Sequence, residues 1–244
     1  MKYLKPRRYA NDLHRQWLAL RRARTVPIGG LRLMARHPVL SPRMRQVLYA
    51  GTYEREELGI LRATLRDGDR VLELGGGLGL LSSCAARRCG DGAVLVVEAR
   101  PDLIEVLAAN HRLNGVAPRV LHGIAGLADG GEQDFFLGAD FWSSSTARRG
   151  DGGSVKVPVL DVNRLVAEFA PSYLVMDIEG GEADLLPALD TGGLRALLVE
   201  VHPDTIGAAG ASDLVRGLLD RGFVLVNRHS SRNVLFFERR EAVL

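Results

Sequence analysis

From Gly51 onward, short runs that are almost wholly apolar alternate with segments of helical spacing, and this alternation confines the chain to few folds. RVLEL, AVLVVEA, RVLHG, YLVMDIEG and ALLVEVHP read as strands. Between them lie a helix through Leu80–Arg87, the helix PDLIEVLAANHRLNG with Pro101 in its first turn and Gly115 near its stop, and a helix from Glu182 to Leu189. YEREELGILRATL, with Leu58, Leu61 and Leu65 at helical spacing, precedes the first strand. Strands with no polar face are buried on both sides, so a parallel sheet with helices on both faces is expected. A helix near Asp213–Leu219 leads to FVLVNRH and NVLFFER, separated by Ser230, Ser231 and Arg232. That link is too short for a crossover, so one of the two strands should run antiparallel in a terminal hairpin.

Residues 1–50 differ from the rest. They carry twelve Lys/Arg and one acid, Asp12, whereas the 244-residue chain as a whole has a net charge of only +3. NDLHRQWLALRRAR predicts a short helix with Leu13, Trp17 and Leu20 on one face, and the Pro and Gly of TVPIGG and RHPVLSP interrupt it. We read residues 1–50 as a basic arm that packs on a domain spanning 51–244, or that makes a peripheral contact with an anionic surface. The apolar (46%) and charged (25%) fractions are those of a soluble globular protein. No run of the sequence reaches a membrane-span length, and no apolar segment follows the basic start as in a secretory signal. Cys84 and Cys89 form neither a disulfide framework nor a metal motif, so a reducing, cytoplasmic setting is expected.

The stretch RVLELGGGLGLLSS places a glycine turn between the first strand of the alternation and a helix, where backbone N–H groups surround a ligand. Gly75 and Gly77 fit the dinucleotide fingerprint, but Leu80 stands at its third glycine. The pattern is instead Glu73-x-Gly75-x-Gly77-x-Gly79. An acid two residues before the first glycine suits a ligand with an ammonium group better than a pyrophosphate. S-adenosylmethionine has that amine, a sulfonium and no phosphate. No Gly-Lys-Ser/Thr follows, which excludes a P-loop. Glu98, at the end of the next strand, can accept hydrogen bonds from ribose hydroxyls, as the equivalent acid does in NAD sites. NAD therefore stays open on these residues alone, as does a tight turn without a ligand.

A second cluster lies at later strand ends. Asp177 and Glu179 share a side of an extended chain, Gly180 and Gly181 permit close approach, and Glu182 can complement the following helix N-terminus. Glu200 and His202 repeat the arrangement one strand later. Carboxylates with a histidine at the cofactor edge can orient an acceptor and take its proton.

Together, VLELGGGLGLLS, VVEARPDLIEVLAANHRLNG, VLDVNRL, YLVMDIEGGEADLL and LLVEVHP resemble, in that order, the FkbM-type methyltransferases. The likeness covers roughly residues 51–203, and Asp-Ile-Glu-Gly-x-Glu is its most specific piece. It implies a Rossmann-like class I methyltransferase fold: an α/β sandwich with a mostly parallel seven-stranded sheet and one antiparallel strand. It further implies transfer of a methyl group from S-adenosylmethionine to a hydroxyl of a sugar, glycolipid, polyketide or other secondary metabolite. Family members often carry Asp at the Glu73 position and Ala-Asn at Gly76-Gly77, and they carry serines near Ser143–Ser145.

The expected cofactor-binding residues are Glu73, Gly75, Gly77, Gly79 and Glu98. The expected catalytic residues are Asp177, Glu179 and His202, with His202 or Glu179 as base and Asp177 orienting cofactor or substrate. No metal is expected, although Asp177 and Glu179 could hold a divalent ion in place of a base. The partner is a small-molecule hydroxyl compound rather than nucleic acid. A nucleic-acid methyltransferase using the basic arm remains an alternative, but DIEG stands where adenine N-methylation would favour an Asn/Asp-Pro-Pro-aromatic tetrapeptide. An NAD-dependent oxidoreductase of the short-chain type would need Tyr-x-x-x-Lys, and none of Lys2, Lys5 and Lys156 follows a Tyr at that spacing. A non-catalytic S-adenosylmethionine-binding protein is a third alternative. The acceptor should contact residues 129–158, where Phe135, Phe136, Phe141 and Trp142 could form a wall.

Overall fold

The computed structural model describes residues 15–128, 130–138 and 153–242. Its first paired element was not foreseen in the sequence. TVPIGGLRLM, read above as an interruption, is an antiparallel hairpin of β1 (Thr25–Ile28) and β2 (Leu31–Met34). Gly29 and Gly30 both take positive φ, 51° and 76°, which matches the twist of a tight two-residue turn. Val26, Ile28, Leu31 and Leu33 alternate inward and are buried. In the helical residues 15–20 before the hairpin, Leu18 packs against the core, while Trp17 and Leu20 are exposed; Leu13 lies outside the described residues.

Helices α1 (Pro42–Ala50) and α2 (Arg55–Thr64) lead into the sheet. Ser41 caps α1 by accepting from the Met44 N–H. Then follow β3 (Val71–Leu74), α3 (Leu80–Cys89), β4 (Val94–Glu98), α4 (Pro101–Leu113) and β5 (Arg119–His122). A separate three-stranded sheet comes next, from β6 (Ile124–Gly126), β7 (Glu132–Phe136) and β8 (Ser154–Asp161), in the order β6-β8-β7. The chain returns through α5 (Val162–Phe169), capped by Asp161, to β9 (Tyr173–Met176), α6 (Glu182–Leu185) and β10 (Ala196–Glu200). It finishes with α7 (Pro203–Asp220), β11 (Phe223–Leu225) and β12 (Val234–Arg239). Helix α7 starts ten residues before the expected Asp213, with a kink at Gly207.

The main sheet has the order β11-β12-β10-β9-β3-β4-β5. The pairs from β10 to β5 are parallel, and β12 runs antiparallel to both neighbours, as the terminal hairpin required. Side chains alternate between two buried layers. Leu72, Leu74, Leu95, Val97, Leu174 and Met176 meet α5, α6 and α7 on one face. Val71, Val94, Val96, Tyr173, Val175 and Leu198 meet α1–α4 and the hairpin on the other.

Two asparagines of α4 dock the hairpin. Asn110 accepts from the Met34 N–H (2.7 Å) and donates to the Leu78 carbonyl (2.9 Å) in the glycine turn. Asn114 accepts from Arg32 N–H (2.9 Å) and donates to the Arg32 carbonyl (2.8 Å). The hairpin is thereby tied to the segment that shapes the ligand turn.

Candidate active site

A cavity of about 630 Å³ opens at the carboxyl ends of β3, β4, β9 and β10, where open α/β sheets place ligands. Gly75 and Gly77 line one half, together with Glu98. Gly75 has φ 90°, and a Cβ there would sit 1.8 Å from the Asp177 carbonyl oxygen, so the close approach of the β3 and β9 ends requires glycine. At Gly76, an added Cβ would meet Val96 Cγ1 at 2.5 Å and Leu107 Cδ1 at 2.8 Å, so an alanine there requires those side chains to shift. Gly77 has φ 49°, a conformation that asparagine also tolerates.

The Gly77 N–H donates to Glu98 Oε2 (2.8 Å) and the Arg100 N–H donates to Glu98 Oε1 (2.7 Å). Burial pushes the Glu98 carboxyl up, and these amides oppose the shift. The two bonds fix the carboxylate at the cavity wall, and each oxygen keeps a lone pair for a ribose hydroxyl. Leu103, Ile124 and Phe135 provide an apolar wall for a purine ring. The residues present therefore fit an adenosyl group.

Glu73 and Gly79 are not among the residues lining this cavity. Glu73, on β3, is 1% exposed and lies beneath the turn, hydrogen-bonded to Ser82 of α3. Among the described residues, its Oε2 has no hydrogen-bond partner. Burial, assisted by the charge of Glu98 and opposed by Ser82, pushes its carboxyl up to about 8. Ser82 Oγ lies 2.9 Å from His111 Nε2, and burial holds that imidazole down at about 4. Gly79 starts α3 and makes room for His111, whose Nε2 would lie 2.9 Å from an added Cβ.

The other half of the cavity gathers Asp177, Glu179, Glu200 and His202 from the ends of β9 and β10, as the strand-end pattern anticipated. Glu182 does more than complement a helix. Fully buried, it accepts from the His202 backbone N–H (2.8 Å) and contacts His202 Nδ1 (3.2 Å) with Oε1, while Oε2 accepts from the Gly180 N–H (2.7 Å). Its carboxylate thus joins the loops after β9 and β10 and turns His202 Nε2 toward Asp177 Oδ1 (3.6 Å) and Glu179 Oε2 (3.5 Å). Burial opposes charge on His202, but the Glu182 bond and the Asp177 and Glu179 carboxylates outweigh it and raise the imidazole to about 9. Asp177 is pushed up by burial and by the charges of Glu200 and Glu179. Glu179 takes φ 53°, a costly conformation for a residue with a side chain and one that concentrates at functional sites. Asp177, Glu200 and His202 bring donor atoms within 4.8 Å of one another, so the set able to hold a divalent ion here includes Glu200 rather than the Glu179 paired with Asp177 in the sequence.

Sequence reasoning missed Tyr53, Glu54 and Glu57, which line the cavity at the start of α2. The Tyr53 hydroxyl accepts from the Leu78 N–H (3.2 Å), and burial raises Glu57 to about 7. Their only signal was the acid-rich YEREE, which also reads as an ordinary helix start. Phe135 lines the cavity but Phe136 does not. Phe141, Trp142 and Ser143–Ser145 lie outside the described residues.

Among solved structures, the chain is similar to a methyltransferase from Pyrococcus furiosus, with 14% identity, 96% of this chain and 98% of that chain covered, and a TM-score of 0.48. It is also similar to a TehB-like SAM-dependent methyltransferase from Corynebacterium glutamicum, with 15% identity, 81% and 94% covered, and a TM-score of 0.44. Aeropyrum pernix fibrillarin in complex with natively bound S-adenosyl-L-methionine shows 13% identity, 74% and 73% covered, and a TM-score of 0.41. No curated protein matches the chain significantly. The family model described as the methyltransferase FkbM domain matches residues 73–225, from the acid of the glycine turn to the last residue of β11. That match covers more than half of the sequence and both halves of the cavity, so the chain belongs to the FkbM methyltransferase family, with S-adenosyl-L-methionine as its cofactor.

Proposed function

We propose that the protein methylates a hydroxyl of a small-molecule acceptor: a sugar, a lipid-linked glycan or another secondary metabolite. The observation that carries this reading is the Glu182–His202 contact, which aims Nε2 at Glu179 and Asp177 in the half of the cavity away from Glu98. When bound, S-adenosylmethionine supplies an electrophilic methyl group on a sulfonium. An alcohol is a weak nucleophile, so its proton must leave as the new bond forms.

Glu179 and His202, 3.5 Å apart, accept that proton as a coupled pair. The surrounding carboxylates keep His202 charged in the free protein. The positive charge of S-adenosylmethionine, when bound, would offset them and lower the imidazole toward the range in which Nε2 takes a proton. Asp177 orients the acceptor hydroxyl, and the remaining contribution is positioning. Residues 51–244 form the catalytic domain in this reading. Two free cysteines, Cys84 and Cys89, are consistent with work in the cytoplasm.

Labelled S-adenosylmethionine added to fractionated cell extract, followed by identification of the labelled product, tests the reaction. Glu179→Gln and His202→Asn are expected to abolish labelling while calorimetric cofactor affinity stays within about threefold of the parent. Labelling that survives either substitution refutes these roles.

A further inference from the structure

A second hollow, of about 870 Å³, lies between the β1–β2 hairpin, the start of α1 and the last turn of α4. Arg24, Arg36, Arg45 and Arg112 line it with His37, and no carboxylate does. Arg45 is braced by two hydrogen bonds to the Leu40 carbonyl (3.0 and 2.7 Å). Arg24, Arg36 and Arg112 are exposed, and no ion pair engages them among the described residues. Residues 15–50 hold eight arginines and no acid. Along α4, Arg112 lies nine residues from the cavity-lining Leu103, or about 14 Å at helical rise. The hollow is thus separate from the reaction site.

Two large apolar side chains lie just before it in the chain. Trp17 is 51% exposed and Leu20 is 84% exposed, and Arg21 stacks over the Trp17 ring at 5.1 Å. Leu20 precedes Arg24 by four residues, so it lies within about 14 Å of the groove. Exposed Trp and Leu among arginines match an anionic bilayer, whose phosphates pair with guanidinium groups while its interface takes the apolar chains. A nucleic-acid backbone would satisfy the arginines but would leave Leu20 in water.

We propose that this face, formed by Trp17, Leu20 and the Arg24–Arg36–Arg112 groove, docks the protein on an anionic membrane surface through lipid phosphates. Each basic residue near such a surface is worth about fivefold in partitioning. Losing three should therefore weaken binding about a hundredfold.

Co-flotation of the full chain with vesicles tests this, using equimolar phosphatidylglycerol and phosphatidylcholine against phosphatidylcholine alone. Binding to the anionic vesicles only, and its loss in 0.5 M salt, is expected. Arg24→Ser/Arg36→Ser/Arg112→Ser should bind about a hundredfold more weakly, and Trp17→Ser/Leu20→Ser about tenfold or more. Calorimetric affinity for S-adenosylmethionine should be unchanged in both and reports that they are folded. Equal flotation with both vesicle types overturns the proposal, as does tighter binding to a 20-base-pair duplex than to vesicles. If the arginine variant does not fold, the Trp17/Leu20 variant decides alone, and undiminished flotation by it is a refutation.

Discussion

Replacing Glu73 with glutamine isolates one buried carboxyl whose effect can be measured without knowing the acceptor. Glu73 is 1% exposed and raised from 4.5 to about 8, chiefly by burial. Between those values the unfolded chain releases a proton that the native protein keeps. Native protein then binds more protons than unfolded, so its stability falls as pH rises, by about 1.4 kcal/mol per unit. Titration tapers at both ends of the window, and from pH 5 to pH 8 the loss comes to about 3–4 kcal/mol. Glutamine has no such proton. Its amide can still accept from Ser82, but its NH₂ takes the place of the unpartnered Oε2, at a pH-independent cost of about 1–3 kcal/mol. That fixed cost cancels when the variant is compared with the parent at two pH values. Urea unfolding of both proteins at pH 5 and pH 8 should show Glu73→Gln gaining about 3–4 kcal/mol on the parent across the interval. A relative gain below about 1 kcal/mol would mean that Glu73 is ionised in the native protein, and the reasoning fails.

Three further substitutions probe the frame around the cofactor. Gly75→Ala sets a Cβ against the Asp177 carbonyl at a left-handed backbone, and should cost about 3 kcal/mol or more and abolish calorimetric cofactor binding. Gly92→Ala, where nothing lies within 4 Å, should leave both quantities almost unchanged. Asn110→Ala leaves the Met34 N–H and the Leu78 carbonyl without their partner, so urea unfolding should report a loss of about 2–5 kcal/mol. A loss under about 1 kcal/mol would show that the hairpin does not depend on this link.

Much of the sheet was legible because its strands have no polar face. Leu72 and Val71 are both buried, one in each layer, and such a run can only be an interior strand. The β1–β2 hairpin was not legible for the opposite reason. Pro27 and the Gly29-Gly30 pair are local breakers, and only their setting against α4 turns them into an edge strand and a turn. Helix α7 was shortened in the sequence reading because Gly207 and Gly210 dilute its first half, where the backbone does kink. Helical spacing puts Trp17 and Leu20 on one stripe without saying what covers it, and only the tertiary structure shows both exposed.

The same division runs through the site. Apolar strand runs and the chemistry of strand ends determine by themselves that Glu98, Asp177, Glu179, Glu200 and His202 converge, since parallel strands bring their carboxyl ends to one edge. Which groups then touch is a matter of tertiary structure. Glu182 and His202 are twenty residues apart, and only the side-by-side packing of β9 and β10 lets one carboxylate select the ring nitrogen that faces the cavity. Glu73 begins the motif in the chain, yet its strand turns it inward to Ser82 and away from the cavity, because side chains alternate along β3 and the odd positions face α3. A linear pattern determines which residues reach an edge; the packing of neighbouring elements decides which atoms they present there.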